Sequence, residues 1–513
     1  MPRNLSTVPK VVGLGLRKEA RRERLGGVLL ATAVLLGLGA SAPSLALPKA
    51  NTIEFSNCTL AMPGTSLTAT ARCGFLEVPE DPEDPQGRQI SIHVAIGEAT
   101  GTDTAADPVF FLAGGPGQAA SETWVMMRNI LHKIRKRRDI VMIDQRGTGQ
   151  SNKLQCEALD TADLLNQEVD LDLLARETRR CLEGLDADTR LYTTTIAMQD
   201  YNLVREAMGY DQVNLVGVSY GTRAAQVYLR HFPETVRTIT LDSVVPMQLA
   251  LGQEHALRLD QAVQAVLEDC AEDETCSELF PSRANQLNEL VTRLREDPRT
   301  ITITDPTTGE DVELLLSADS LAVAIRFLSY SSESQAVLPL LLHEAMSTGR
   351  LDRLATQAML VVSGLSEAIA RGMELSVMCA EDYPFLDFDT DYSQTLMGNL
   401  LLEGVKTQCT VWNSGAVPAD FHEPVQSAVP ALLLSGERDP VTPPQYAALV
   451  AQTFPHHLNV VARGQSHSVL RNVCLQEITT RFIDEGSVDG LEIACVDAIR
   501  PAPFFTSLLG PEP

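Results

Sequence analysis

A chain of 513 residues with 44% hydrophobic and 21% charged side chains can bury a large core, which excludes general disorder. Its formal charge of −26, from 41 basic and 67 acidic residues, excludes the basic footprint of a nucleic-acid binder and attraction to an anionic membrane surface. A mean hydropathy of −0.01 excludes a polytopic membrane protein.

The chain opens with a leader. Arg3, Lys10, Arg17, Lys18, Arg21, Arg22 and Arg24 outnumber Glu19 and Glu23, and an uncharged run follows from Leu25 to Pro48. A basic start, an apolar heart over Leu25–Leu38 and a small-residue exit read as a signal peptide over 1–46. Ser44-Leu45-Ala46 and Ala40-Ser41-Ala42 are the two cleavage sites it offers. The competing reading is an uncleaved membrane anchor, which Ser41, Pro43 and Ser44 disfavour. Arg24 argues against a twin-arginine signal at Arg21-Arg22.

Gln89–Ile96 then alternates apolar and polar residues, as a half-buried strand does. Val109–Leu112, Ile140–Ile143, Val213–Val216 and Val236–Leu241 are short β-rich runs suited to buried parallel strands. Helical patterns at Ile196–Met208 and Thr222–His231 lie between them, and this alternation predicts an α/β fold. From Val245 to about Pro430 the strand signal mostly vanishes. Leu257–Leu267, Ala284–Leu294, Leu321–Leu328 and Leu338–Met346 carry helical spacing instead. The alternation resumes with strand Ala431–Leu434, helix Pro444–Ala451 and strand Leu458–Val461. The expected organisation is a sheet domain in two parts, 47–245 and 429–513, with a largely helical insertion over 246–428.

All ten cysteines follow the leader: Cys58, Cys73, Cys156, Cys181, Cys270, Cys276, Cys379, Cys409, Cys474 and Cys495. An even count in an exported chain reads as disulfides. Spacing does not fix the connectivity; pairing of neighbours is the simplest arrangement. No Cys-x-x-Cys pair or Cys/His cluster has metal-ligand spacing, so no metal and no cofactor is expected.

Val213–Val216 runs into Gly217-Val218-Ser219-Tyr220-Gly221-Thr222, a G-x-S-x-G nucleophile elbow between strand and helix. The turn is sharp and strained, so small residues must flank Ser219. The backbone N–H of Tyr220 then faces a developing oxyanion. Gly114-Gly115-Pro116-Gly117 follows Val109–Leu112 and can bring a second donor, Gly114 in preference to Gly115. Asp439 follows strand Ala431–Leu434, and His467 follows strand Leu458–Val461 and opens a helix. A histidine there can reach Ser219, and a carboxylate can fix its tautomer. Asp242 and Glu437 are the rival acids, and His456 and His457 the rival bases. Asp144 and Arg146, in Asp144-Gln145-Arg146-Gly147, are expected in a structural network beneath the site.

Together these motifs resemble the α/β-hydrolase exopeptidases of the proline iminopeptidase and tripeptidyl aminopeptidase family, over roughly 70–245 and 425–475. The carrying blocks are Gly-Gly-Pro-Gly, Asp-Gln-Arg-Gly-x-Gly-x-Ser, Gly-x-Ser-Tyr-Gly and Gly-x-x-Asp-Pro-x-Thr-Pro. The resemblance implies an α/β-hydrolase fold, a triad of Ser219, Asp439 and His467, and peptide substrates with free N-termini. Ala113 stands where cytosolic proline iminopeptidases have histidine, which with the leader and cysteines points to the exported branch. Cys379-Ala380-Glu381-Asp382 resembles the segment whose glutamate holds the substrate's ammonium, which makes Glu381 the candidate for that role. An esterase with the same triad, and a catalytically silent binding protein on the same fold, are the alternative readings.

Overall fold

The computed structural model describes residues 52–511 except 157–169, 282, 306–308, 358 and 360–367. The expected signal peptide and its cleavage sites lie outside the described residues.

The strands in chain order are β1 (Ser56–Ala61), β2 (Thr68–Pro79), β3 (Gln89–Gly97), β4 (Val109–Leu112), β5 (Ile140–Ile143), β6 (Val213–Val218), β7 (Val236–Asp242), β8 (Arg299–Thr304), β9 (Asp311–Leu316), β10 (Ala431–Gly436) and β11 (His457–Ala462). Nine of them form one sheet in the order β1-β2-β3-β5-β4-β6-β7-β10-β11. Pairing is antiparallel from β1 to β5 and parallel from β5 to β11. Every residue of β4, β5 and β10 is buried, because helices cover both faces. One face packs Ile92, Phe110, Val141 and Leu215 against Tyr228 and Val204. The other packs Phe111, Met142 and Val216 against Trp124 and Phe482.

One sequence expectation needs correction, and two strand pairs had no sequence counterpart. β3 is buried beyond half, since both of its faces enter those cores; even His93 is buried, with its ring on Asp144. β1 and β2 were not expected: β1 buries only Leu60, so it carries no alternation, and the Cys58–Cys73 disulfide joins it to β2. The segment between β7 and β10 is largely helical, with helices such as His255–Glu272, Ala318–Leu328, Ser332–Thr348 and Leu400–Cys409. It also carries the antiparallel hairpin β8–β9, where Thr-rich β8 alternates with little burial. Leu259, Leu321, Ile325, Leu338 and Leu342 give this segment a core of its own.

The cysteines pair neighbour with neighbour: 58–73, 156–181, 270–276, 379–409 and 474–495. Closing such loops restricts the unfolded chain, by about 2–4 kcal/mol per bridge in the chain-entropy account. No helix among the described residues is long and apolar enough to cross a membrane.

Candidate active site

β6 turns into the helix Tyr220–His231 through Ser219, held at φ 57° and ψ −126°. A non-glycine residue there stores about 1–3 kcal/mol of strain, so its surroundings must hold it. They do. The Ser219 N–H donates to the Asp242 carbonyl at 2.9 Å, and the Thr222 hydroxyl donates to the Ser219 carbonyl at 2.6 Å. The flanking glycines are steric necessities. A Cβ on Gly217 would lie 2.4 Å from the Gly221 carbonyl oxygen, and one on Gly221 would lie 2.2 Å from that of Leu112. The helix begins at Tyr220 rather than Thr222, so the Tyr220 N–H has no acceptor within the helix and is available to an anion.

The glycine loop after β4 passes beside this turn. A Cβ on Gly114 would sit 3.2 Å from the Ser219 Cβ. Gly115 and Gly117 take φ of 108° and 103°, which other residues rarely adopt. The Gly117 carbonyl accepts the Ala370 N–H at 3.0 Å, and Gln118 bridges to Ile369. The segment between β7 and β10 thereby clamps the loop.

Asp439 and His467 meet at the ends of β10 and β11. The His467 Nδ1 lies 2.8 Å from the Asp439 Oδ2. Asp439 also accepts the N–H groups of Val441 and Thr442 and the Thr442 hydroxyl, at 2.8–2.9 Å. Burial opposes ionisation of Asp439, but His467 and those donors outweigh it and hold the carboxyl at about 2. Burial also opposes protonation of His467, yet Asp439 raises its affinity for a proton above the ordinary value. With Nδ1–H donating to Asp439, Nε2 is left as the basic nitrogen. His467 does not open an α-helix. Ser468 takes φ 64° and a single 3-10 turn, Val469–Arg471, follows.

The rivals are occupied elsewhere. The Asp242 carboxylate accepts the N–H groups of Val469 and Leu470 at 2.9 and 3.0 Å, and burial pushes it up to about 6. Glu437 accepts the Gly464 N–H. His457 turns its Nδ1 to the Phe454 carbonyl, and His456 is exposed. Asp144 takes the Ser121 N–H and hydroxyl and the His93 ring. Arg146 makes a two-pronged bond to Asp200 at 2.7 and 2.8 Å and also donates to the carbonyls of Glu80 and Leu191. Both are buried structural groups.

Glu381 departs from expectation. An ammonium-binding carboxylate needs an oxygen open to substrate, but Glu381 is fully buried in a π-helical turn, Met378–Asp382. Its oxygens accept the Thr194 N–H at 2.6 Å and the Thr194 hydroxyl at 2.9 Å. Burial pushes its carboxyl up to about 7 against the pull of Arg223. The Thr194 Oγ1 also lies 2.5 Å from the Tyr220 hydroxyl, to which the Gln145 amide donates at 3.0 Å. Glu381 therefore supports the residue beside Ser219 from below. Sequence reasoning missed Thr194 and Gln145. Thr194 stands in Thr193-Thr194-Thr195, which signals a helix start and no chemistry.

Residues 107–470 match the family model described as alpha/beta hydrolase fold. The chain is 24% identical over 470 residues to serine protease Hip1 of Mycobacterium tuberculosis, spanning 85% of this chain and 89% of that protein. It is 31% identical over 195 residues to tripeptidyl aminopeptidase of Streptomyces lividans, spanning 35% and 36%. The solved structure of proline iminopeptidase from Mycobacterium smegmatis shares 15% identity at a TM-score of 0.38, over 80% of this chain and 98% of that one.

Proposed function

The chain belongs to the alpha/beta hydrolase fold family, and on that footing we propose that it is an exported serine aminopeptidase, releasing one or a few residues from peptide N-termini. The carrying observation is the Asp439–His467 pair at the ends of β10 and β11, on the same strand-end edge of the parallel sheet as the strained Ser219. The likeness to a serine protease over most of the chain supports peptides as substrates.

In this reading Ser219 Oγ attacks the scissile carbonyl while His467 Nε2 takes its proton. The N–H groups of Tyr220 and Gly114 hold the oxyanion, with Gly115 as the alternative second donor. His467 returns the proton to the departing amine, and the acyl group stays on Ser219 as an ester. Water, deprotonated by the same nitrogen, releases the new carboxylate. Asp439 keeps the imidazole in the required tautomer and stabilises it when charged. The insertion acts as a cap that restricts the site to chain ends. The leader and five disulfides support export to an oxidising compartment.

A panel of aminoacyl and tripeptidyl anilides beside short-chain esters tests the proposal. Turnover of the free-amine anilides that vanishes on N-acetylation supports an aminopeptidase. Turnover of esters alone supports the esterase. Failure of a fluorophosphonate to label Ser219 supports a silent binding protein.

A further inference from the structure

The insertion places an arginine without an acid beside His467. Arg326 lies near the end of helix Ala318–Leu328 and is part-buried. Among the described residues it makes no ion pair, in a chain where acids outnumber bases 67 to 41. Its contacts are weak and uncharged: the Tyr330 hydroxyl and His255 Nδ1, both at 3.4 Å, and the Met397 sulfur at 3.8 Å. Tyr330 in turn sets its ring edge-on to His467, with centroids 5.1 Å apart. His255 is buried, and its other nitrogen, Nε2, has no partner among the described residues. Accepting from Arg326 at Nδ1 leaves that Nε2 as a donor. His255 thus holds the guanidinium from one side with its own N–H directed away from it, and the guanidinium has no charged acceptor among the described residues.

We propose that Arg326, with Tyr330 and His255, forms an anion subsite over His467 that takes a carboxylate carried by the substrate. The carboxylate belongs either to an acidic side chain or to the C-terminus of a short peptide. This rests on the triad chemistry above. A guanidinium matches a carboxylate with two parallel hydrogen bonds, and a partly dry site strengthens them. The subsite also bears on turnover. His467 becomes positively charged in the transition state, and Arg326 opposes that charge. A substrate carboxylate on Arg326 cancels the opposition, so part of its effect is expressed in kcat as well as KM.

The test compares the full protein with Arg326→Met and Arg326→Lys in three arms. The first uses anilides carrying Glu or Gln beside the scissile bond. The second uses short peptides ending in a free carboxylate or an amide. The third measures protection of Ser219 from a fluorophosphonate by glutarate against neutral glutaramide. We expect the wild type to prefer the charged member of the first or second pair by roughly 10- to 100-fold in kcat/KM, and the preferred pair names the source. The preference should shrink to within about twofold in Arg326→Met and survive in part in Arg326→Lys. Equal rates in both pairs, or a preference that persists in Arg326→Met, would overturn the subsite. If no peptide is cleaved, the aminopeptidase reading fails, and selective protection by glutarate, lost in Arg326→Met, still decides for or against the subsite.

Discussion

The Ser219 N–H donates to the Asp242 carbonyl at 2.9 Å, while the carboxylate of the same Asp242 holds the N–H groups of Val469 and Leu470. One residue at the end of β7 therefore ties the nucleophile's turn to the loop that carries His467. Asp242→Asn can offer only one acceptor oxygen where two N–H groups converge. It should lower kcat by about 10-fold or more with less effect on KM, because it disturbs alignment and not binding. Steady-state kinetics beside a thermal melt checks this; unchanged kcat would show that Asp242 does not position His467.

The triad variants should behave as a unit. Ser219→Ala, His467→Ala and Asp439→Ala are each expected to cut kcat by roughly 10³- to 10⁶-fold while the far-ultraviolet spectrum stays native. His467 must be neutral to accept the serine proton, and Asp439 raises its proton affinity. Activity in kcat/KM should therefore be lost on acidification with a midpoint above that of an ordinary imidazole, and in Asp439→Asn that midpoint should move to lower pH. Catalysis that persists through the oxyanion hole and binding when a triad member is changed is expected to leave a rate on which the profile can be recorded.

Two glycines should respond differently to the same methyl group. Gly221→Ala places Cβ 2.2 Å from a backbone oxygen on β4, which neither partner can avoid. A loss of about 3 kcal/mol or more, or failure to fold, is expected. Gly209 ends helix Thr194–Met208 at φ 72° with open space around it, so Gly209→Ala should cost only about 1–2 kcal/mol of backbone strain. Denaturant unfolding of both variants measures the difference.

Glu381 gives a pH signature. Its folded carboxyl is raised to about 7, far above an unfolded glutamate. A raised value means its contribution is fully present below the unfolded pKa and is lost as pH rises through about 7. Asp242, raised to about 6, adds the same sign over a lower window. The wild type should thus lose melting temperature between pH 5 and 8 more steeply than Glu381→Gln, which cannot ionise. Parallel pH profiles would show that Glu381 does not titrate in this range.

What the sequence made legible follows from where physics leaves a one-dimensional trace. β4, β5 and β10 are buried on both faces, so they read as unbroken apolar runs. The elbow is legible because backbone contacts at Gly217 and Gly221 forbid any side chain. Asp439 is legible because it follows such a strand, β10, and His467 because it follows β11, the part-exposed strand paired with it. β1 leaves no trace because five of its six residues are not buried, and β8–β9 pair on a mostly solvated face. Glu381 shows the converse. Its motif is visible, but only the fold reveals that Thr194, 187 positions away, already occupies its carboxylate. Arg326 looks like any helix-end arginine until the structure shows which acids it lacks.

The most direct measurement is mass spectrometry of products from a free-amine oligopeptide and its N-acetylated twin, with wild type and Ser219→Ala. Stepwise shortening from the N-terminus of the free-amine peptide only, abolished in Ser219→Ala, is the expected result. Internal cleavage, equal attack on the acetylated peptide, or activity that survives in Ser219→Ala would contradict it.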